Sequence, residues 1–331
     1  MPSVLVRLRP TGPWRIGPDS GDRDRVDRIY HSDALYSAVS GAMARLGQLA
    51  EWLDATARAS APAVRFSSCF PFHGDLLYVV PPRHLWPPPA SSKVRWKGAR
   101  FVPLKAVESI LAGKALSEDA WVVDGESECL IPSSQAGSTL FRSSVRSNAA
   151  VDRAGEGVTP HSSACLEFTP GSGLWFVASF DSDAAFDQWN QRFQAAIRLL
   201  ADSGFGGGRS RGWGRSEMPE FSDNPALLSA PAPAGVETGH WLLSLFHPAE
   251  SDAVDWQRGD YSLTTRGGRI ESEVGWGEMK KSTRMVAEGS VLVASAEPRG
   301  AAADVAPEGF AHPVYRAGFA LSIPVPLKVP A

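Results

Sequence analysis

The stretch that decides the fold runs from Asp181 to Phe221 and reads DSDAAFDQWNQRFQAAIRLLADSGFGGGRSRGWGRSEMPEF. Its first half places apolar side chains on one helical face, at Phe186, Trp189, Phe193, Ile197 and Leu200. Ser182 or Asp183 stands where a helix cap is expected, and Gly204 follows the last turn. We therefore predict a long helix, a Gly/Arg-rich loop and then a strand over Trp213–Phe221.

The residues upstream predict the rest of an α+β domain. Apolar residues alternate at Val4, Val6 and Leu8, which is typical of a half-buried strand. A helical stripe then predicts a helix from about Asp33 to Arg58, capped by Ser32 or Asp33. Further strands are predicted at Val64–Cys69, Leu76–Val80, Leu166–Phe168 and Leu174–Phe180. The order strand, helix, strands, helix, strand is that of a ferredoxin-like (RRM-like) fold.

A long insertion interrupts this domain at about residues 81–160, and we call it the arm. Pro81–Pro89 contains five prolines and is unsuited to a regular element. The residues after it are basic, then acidic, and rich in Ser and Gly, so we predict an irregular, partly hairpin segment. Its basic stretch Lys93–Lys105 includes Trp96, and a second basic cluster contains Arg142, Arg146 and Arg153.

The chain beyond residue 223 predicts a second, smaller domain. Residues 224–239 are rich in Ala and Pro and indicate a linker. Residues 240–331 suggest a degenerate ferredoxin-like domain with a short helix near Ala253–Gln257. Its strands are predicted at Trp241–Phe246, Tyr261–Thr265, Ser290–Ser295 and Phe319–Val325. Arg266-Gly-Gly-Arg269 is predicted to be a turn.

Composition excludes several function classes. No apolar run approaches the roughly 18 residues that cross a bilayer, so we expect a cytoplasmic protein with no membrane partner. The three cysteines are scattered, which argues against a disulfide framework and a zinc site. The seven histidines lack metal-ligand spacing, so we expect no metal and no cofactor. Net charge is −3, yet basic residues cluster locally and leave room for an anionic partner.

The segment Gly204–Arg215, the Gly/Arg loop, carries the strongest chemical signal. Six glycines in twelve positions let backbone amides approach a ligand and form a nest for phosphate oxygens. Arg209, Arg211 and Arg215 could add guanidinium contacts, and Trp213 could stack on a base. The alternative is a flexible connector whose arginines serve solubility.

Catalytic motifs fit poorly. Gly208-Arg-Ser210-Arg-Gly212 satisfies the Gly-x-Ser-x-Gly pattern of serine hydrolases, but that motif needs a strand before the serine and a helix after it. Here a helix comes first and a strand follows. His31-Ser32-Asp33 reads as a helix cap beside a histidine. We predict that the chain is not an enzyme.

The ordered set of motifs resembles the RAMP superfamily of CRISPR effector subunits. It is most similar to the type III-A (Csm complex) member that binds the 5′ handle of the guide RNA (crRNA). The motifs that carry the resemblance are His31–Tyr36, Ser68–Phe72, Val145–Arg153, Gly204–Arg215 and His312–Ala320. Together they span nearly the whole chain.

This resemblance implies a non-catalytic subunit with two ferredoxin-like domains. Its implied partners are the crRNA 5′ handle, the large polymerase-like (cyclase) signalling subunit and a backbone RAMP subunit approached by the arm. Carried onto this sequence, the implied RNA-binding residues are Ser32, Arg146, Arg153, Gly206, Gly207, Gly208, Arg209, Ser210, Arg211 and Trp213.

Two alternatives stay open at this point. A related RAMP endoribonuclease that processes repeat RNA would use a histidine as general acid or base, and His31 is the candidate. The other alternative is the equivalent subunit of a type III-B complex.

Overall fold

The structure is a computed structural model that describes residues 1–18, 22–88, 93–151, 157–223, 235–271 and 276–328. Among these residues the α-helices are α1 Ser32–Arg45, α2 Leu49–Ala55, α3 Lys93–Trp96, α4 Leu104–Leu111 and α5 Asp183–Ser203. The strands up to residue 223 are β1 Ser3–Leu8, β2 Val64–Phe66, β3 Phe70–His73, β4 Leu76–Val79, β5 Val102–Pro103, β6 Trp121–Asp124, β7 Cys129–Pro132, β8 Phe141–Val151, β9 Val158–Phe168, β10 Ser172–Phe180 and β11 Glu220–Asp223. The later strands are β12 Thr238–Leu242, β13 Val254–Asp260, β14 Leu263–Arg266, β15 Arg269–Glu271, β16 Trp276–Met279, β17 Thr283–Val286, β18 Val291–Ala294, β19 Ala302–Asp304, β20 Tyr315–Ala317 and β21 Ser322–Pro326.

A seven-stranded antiparallel sheet forms the centre of the first part. Its order is β11-β1-β10-β3-β4-β5, with β2 also paired to β10. The predicted first strand is confirmed, and Val6 of β1 lies opposite Phe176 of β10. Phe193 of α5 stacks on Phe66 of β2 at 5.5 Å and meets Phe176 edge-on at 6.3 Å. Burial of these rings fixes the helices on one face of the sheet.

Helix α5 confirms the central prediction. The Ser182 hydroxyl accepts a hydrogen bond from the Ala185 amide at 3.1 Å and so caps the first turn. The helix ends at Gly204, whose φ is 98°. A Cβ there would lie 2.4 Å from the Trp213 carbonyl oxygen. Both the backbone angle and the lack of space therefore require glycine at this position.

The first predicted helix, Asp33–Arg58, is wrong in its length. It divides into α1 and α2, and Gly47 turns the chain between them with a φ of 72°. The turn brings Trp52 of α2 back to the core, where it packs against Tyr36 at 5.7 Å and Trp189 at 5.3 Å. Apolar periodicity continues across the turn, so the pattern alone did not reveal it.

The arm is ordered over most of its described residues, which corrects the prediction of an irregular segment. Strand β5 extends the central sheet beyond β4, and β6 pairs with β7. Strands β8 and β9 pair in register along their whole length as a long hairpin. Trp96 is 1% exposed and stacks on Trp86 at 5.8 Å. It is therefore a core residue and offers no surface ring to the basic stretch Lys93–Lys105.

The second part contains only strands and turns among its described residues. Strands β13, β18, β12 and β21 form a four-stranded sheet in that order, accompanied by three two-stranded pairs. The helix predicted at Ala253–Gln257 is wrong, because these residues enter β13, where Trp256 stacks on Phe246 at 6.5 Å. The domain expected at residues 240–331 thus has none of the helices of a ferredoxin-like fold in its described residues.

The two parts share one hydrophobic core. Trp241 Nε1 donates a hydrogen bond to the Val80 carbonyl at 3.1 Å, and Phe319 meets Tyr36 edge-on at 5.6 Å. Residues 224–234 of the predicted linker lie outside the described residues, and β12 begins at Thr238. The division of the chain into two domains stays a prediction.

The start of α1 is charged and buried between the two parts. The Asp33 carboxylate pairs with Arg266 at 3.0 Å and with Arg316, both from the second part. All three side chains are buried. Burial by itself would raise the pKa of Asp33, but the two guanidinium charges lower it to about 2. Arg266 of the predicted turn is therefore a core residue.

His31 adds a second buried pair beside Asp33. Its Nδ1 lies 2.7 Å from Glu288 Oε1, and its Nε2 lies 3.0 Å from Asp27 Oδ2. Burial by itself lowers the pKa of His31, but the charge of Glu288 and the hydrogen bond with Asp27 raise it to about 9. We define the buried ion cluster as His31, Asp33, Arg266, Glu288 and Arg316.

The predicted cap of α1 is confirmed in part, because Asp33 Oδ1 accepts a hydrogen bond from the Ala34 amide at 2.8 Å, but neither Ser32 nor Asp33 is the N-cap residue. The N-cap residue is His31, which makes no side-chain cap bond. The Ser32 hydroxyl instead accepts a hydrogen bond from the Leu245 amide at 3.0 Å, and its own amide donates to Ser68 Oγ at 2.8 Å. The Ser32 hydroxyl therefore bonds to the backbone of the second part and does not cap the helix.

Removal of the Asp33 carboxylate should strongly destabilise the chain. Asp33→Ala removes the carboxylate that two buried guanidinium groups share, so we expect a loss of about 3 to 5 kcal/mol in the free energy of unfolding. Urea denaturation measures this loss. Asp54→Ala removes the partner of an exposed ion pair with Arg58 and is the matched control, for which we expect little change. Equal effects of the two variants would contradict the prediction.

Stability should decrease above neutral pH because of His31. The pKa of the folded state lies above the ordinary 6.5, so its stabilisation is complete below pH 6.5 and is lost as pH rises through about 9. At about 1.4 kcal/mol for each factor of ten in proton affinity, the loss approaches roughly 3 kcal/mol. The free energy of unfolding, measured across this range, should fall more steeply for the wild type than for His31→Asn. Parallel curves would show that His31 carries no charge in the folded chain.

Candidate nucleic-acid interface

The Gly/Arg loop folds back onto the segment that follows β1. The Gly207 amide donates to the Arg15 carbonyl at 2.9 Å, and the Gly214 amide donates to the Pro13 carbonyl at 2.9 Å. Phe205 stacks on Trp14 at 5.2 Å. These contacts attach both ends of the loop to the N-terminal segment, which favours a packed loop over a flexible connector.

Several glycines of the loop are required by packing. Gly206 has a φ of 68°, and a Cβ there would lie 2.4 Å from the Arg15 carbonyl oxygen. At Gly214 a Cβ would lie 2.0 Å from the Phe205 carbonyl oxygen. Gly206 and Gly207 therefore serve the attachment of the loop, while Gly208 lines the cleft described below.

A single 3₁₀ turn, Arg209–Arg211, forms the apex of the loop. It lies between Gly208 and Gly212, which both adopt left-handed angles with a φ of 78°. Among the residues that the structure describes, the Gly208 and Ser210 amides meet no hydrogen-bond acceptor. Amides without an acceptor at such a turn suit an anionic oxygen.

A basic cleft of about 250 Å³ opens between the apex, the long hairpin and the N-terminal segment. Its lining residues are Arg15, Arg23, His161, Ser163, Gly208, Ser210, Arg211 and Trp213. The lining supplies guanidinium, imidazole and hydroxyl groups, and no carboxylate lines it among the residues that the structure describes. Such a set of donors recognises phosphate or another oxyanion.

Arg15 organises the cleft. Its Nη1 donates to the carbonyls of Arg23 at 2.7 Å and Ala164 at 2.8 Å, and its Nη2 donates to the Asp22 carbonyl at 2.8 Å. The pKa of Arg15 is lowered, chiefly by burial and also by the charge of Arg23. The guanidinium still stays charged at neutral pH. The Arg15 guanidinium is thus held near Arg23 by neutral main-chain carbonyls, which do not cancel its positive charge.

The two apex arginines have different surroundings. Arg211 lines the cleft, where its Nη2 lies 3.1 Å from His161 Nε2. Arg209 instead lies with its stem against Gly204, where a Cβ would be 3.2 Å from its Cγ. Its charge also acts on the buried Tyr30 hydroxyl. Of the two, Arg211 is the cleft residue.

Trp213 is better explained by packing than by base stacking. Its side chain is 9% exposed. A Cβ at Gly208 would lie 2.8 Å from the indole ring, and the Arg211 guanidinium lies 5.9 Å from the ring centroid. Little ring face is therefore exposed, although Trp213 also lines the cleft, and its stacking role stays a prediction.

Ser32 is also removed from the candidate RNA-binding residues. It is 5% exposed, and its hydroxyl is bonded to the Leu245 amide of the second part. A phosphate cannot reach it while the two parts are packed together.

Arg146 lies on the polar face of the long hairpin. It is opposite Ser163 in register, and Asn148 is opposite His161, so all four side chains project from one face of the β8–β9 pair. Arg146 is exposed and pairs with Glu167. The structure therefore brings Arg146 to the same polar face as the cleft residues of β9. Arg153 lies outside the described residues.

Arg15, Arg23, His161 and Ser163 were missed by sequence reasoning. Arg15 and Arg23 belong to a charged loop that gives no motif, and only strand pairing places His161 and Ser163 on the cleft face. Alternating polar residues on β9 were the available signal.

His31, the candidate catalytic histidine of the endoribonuclease alternative, is 6% exposed. Both ring nitrogens contact carboxylates, one on each side, within the buried interface. Its surroundings are those of a structural ion pair.

No group of three or more His, Cys, Asp and Glu side chains in the described ranges is arranged to hold a metal ion. Within the same ranges no helix has the length and apolar character needed to span a bilayer.

Comparisons with known proteins agree along the whole chain. The family model of the CRISPR Csm4 C-terminal domain matches residues 237–325. Csm4 in the crystal structure of the Csm3–Csm4 subcomplex of the type III-A CRISPR-Cas interference complex is 16% identical, with a TM-score of 0.68 over 98% of this chain and 99% of that chain. Csm4 in the Csm1–Csm4 cassette with cA4 is 20% identical, with a TM-score of 0.59 over all of both chains. No curated protein sequence matches. Residues 237–325 thus match the Csm4 C-terminal domain, and the whole chain shares the fold of the two Csm4 structures.

Proposed function

We propose that the chain is the non-catalytic subunit of a type III-A CRISPR (Csm) effector complex that binds the crRNA 5′ handle. Its other partners would be the large polymerase-like subunit, Csm1, and the backbone RAMP subunit, Csm3. The family match and the shared fold with Csm4 in the Csm1–Csm4 and Csm3–Csm4 structures support this assignment.

The architecture of the first part supports a RAMP role. We infer a ferredoxin-like unit from the order β1, α1, β2 and β3, β10, α5, β11, with neighbouring strands β11-β1-β10-β3. The arm is inserted between the second and third strands of this unit. The Gly/Arg loop is the connection from its second helix to its last strand.

The basic cleft is the single observation that carries the RNA proposal. Three guanidinium groups, one imidazole and two hydroxyls converge there with open amides, and none of the described lining residues carries a carboxylate. The positive field is local, since the whole chain has a net charge of −3. A phosphodiester is the group that matches these donors.

An extended RNA strand suits this site better than a single small anion. The polar face of the long hairpin continues from Ser163 to Arg146 and offers further donors beside the cleft. Because Trp213 is largely buried, we expect recognition of the sugar-phosphate backbone to dominate over base stacking at this point.

The two alternatives lose support. A type III-B subunit is disfavoured by the match to the Csm4 C-terminal domain. An endoribonuclease that uses His31 is disfavoured because that side chain is enclosed by the buried ion cluster.

Charge reversal of Arg211 should weaken RNA binding. In Arg211→Glu we expect at least a roughly tenfold loss of affinity for handle RNA and a salt slope reduced by about one, since one phosphate contact is lost. Arg209→Glu should have a smaller effect, because Arg209 does not line the cleft. Fluorescence anisotropy over a range of salt concentrations measures both quantities.

Arg192→Glu is the matched control, because Arg192 is an α5 arginine in an exposed pair with Glu51. Wild-type affinity and salt slope in Arg211→Glu would refute the assignment of the cleft to RNA.

Repeat RNA should stay intact when it is incubated with the purified chain without metal. His31→Ala should alter stability and leave the RNA equally intact, because the imidazole is enclosed by protein. Gel electrophoresis of labelled repeat RNA tests this. Clean cleavage by the wild type that disappears in His31→Ala would favour the endoribonuclease instead.

A further inference from the structure

A hydrogen bond between a guanidinium and an imidazole crosses the basic cleft. Arg211 Nη2 lies 3.1 Å from His161 Nε2. A guanidinium can only donate, so His161 Nε2 must accept, and the imidazole is neutral with its proton on Nδ1. His161 belongs to β9 of the long hairpin, whereas Arg211 belongs to the Gly/Arg loop. In this arrangement His161 positions Arg211 across the cleft.

Three guanidinium groups share the empty cleft with His161, and the Asp24 carboxylate acts on one of them, Arg15. Arg211 faces it from the loop, and Arg15 and Arg23 face the same cleft from the N-terminal segment. On its own hairpin the opposite residue, Asn148, is uncharged. Arg146 lies two residues before Asn148 on β8, and its charge is balanced by Glu167. Protonation would remove the acceptor of Arg211 and add a cation to three guanidinium groups.

An anion in the cleft reverses this balance. We propose that His161 couples phosphate binding in the cleft to proton uptake, an inference that rests on the proposed RNA-binding function. When a phosphodiester enters, His161 takes one proton from solvent on Nε2 and releases the Arg211 N–H. Both the imidazolium and the guanidinium then donate to the phosphate oxygens. The site gains one positive charge at the moment when a negative group arrives.

The proposal predicts that RNA affinity increases as pH falls through the histidine range of about pH 5 to 8. The salt slope should also be steeper at the lower pH, because the protonated cleft neutralises more phosphate charge. A purely structural His161 would produce neither effect.

The test uses the full chain and a short fluorescently labelled single-stranded RNA, with affinities measured at pH 6 and pH 8. Wild type should bind about tenfold more tightly at pH 6, the equivalent of one charge-assisted hydrogen bond. His161→Gln retains an acceptor for Arg211 but has no titrating group, so its affinity should be the same at both pH values. His73→Gln is the control, because His73 bonds to Ser172 at 2.9 Å and does not line the cleft; it should keep the wild-type pH dependence.

Calorimetry at pH 7 in two buffers of different ionisation enthalpy gives a second readout. RNA binding should take up a fraction of a proton in the wild type and none in His161→Gln. The same pH dependence in both proteins, or no proton uptake by the wild type, would overturn the proton linkage while RNA binding itself survived. Failure of the wild type to bind RNA at either pH would instead overturn the proposed function, and the linkage with it.

Discussion

The structure depends on a charged helix start that is buried between its two parts. Asp33 is held by Arg266 and Arg316, and His31 by Glu288, with all of these side chains nearly inaccessible. Burying such groups is costly unless each finds a partner in good geometry. Here each buried charge contacts at least one opposite charge, and Asp33 contacts two guanidinium groups. The cluster therefore specifies one arrangement of the second part on α1, where a purely apolar contact would tolerate several.

The same helix start also fixes the candidate RNA site. Tyr30, one residue before His31, meets Phe205 of the Gly/Arg loop edge-on at 6.1 Å, and its ring lies beside Gly206. Residues 30–33 thus touch the loop, the buried ion cluster and the backbone of Leu245 in succession. A displacement of this short segment would disturb the cleft and the interface together. This links the shape of the candidate RNA site to the position of the second part.

Sequence patterns predicted the features that depend on neighbouring residues. Helix α5 was predicted together with Ser182 and Gly204 at its ends, because a cap bond and a left-handed glycine depend on neighbouring residues. The break at Gly47 was missed because the apolar stripe continues through it. Arg266 was interpreted as part of a turn because its partner, Asp33, lies more than two hundred residues away. The basic cleft was predicted only in part, because its residues are far apart in the sequence. Arg211 was identified from the composition of the loop. Arg15 and His161 reach the cleft only when the N-terminal segment and β9 fold against that loop.

The glycines of the loop drew attention to the right segment, but most of them serve packing and not ligand binding. Their number suggested a chain of open amides around phosphate. Most of them instead allow close packing, as at Gly206 against the Arg15 carbonyl and Gly214 against the Phe205 carbonyl. This packing carries the loop to the wall of the cleft and turns Gly208, Ser210 and Arg211 toward it. The glycine-rich composition is then chiefly the condition for a rigid loop, and anion recognition falls to the few donors that the rigid loop presents. A preorganised donor set loses little conformational entropy when it binds an anion, so the close packing at these glycines would itself contribute to affinity.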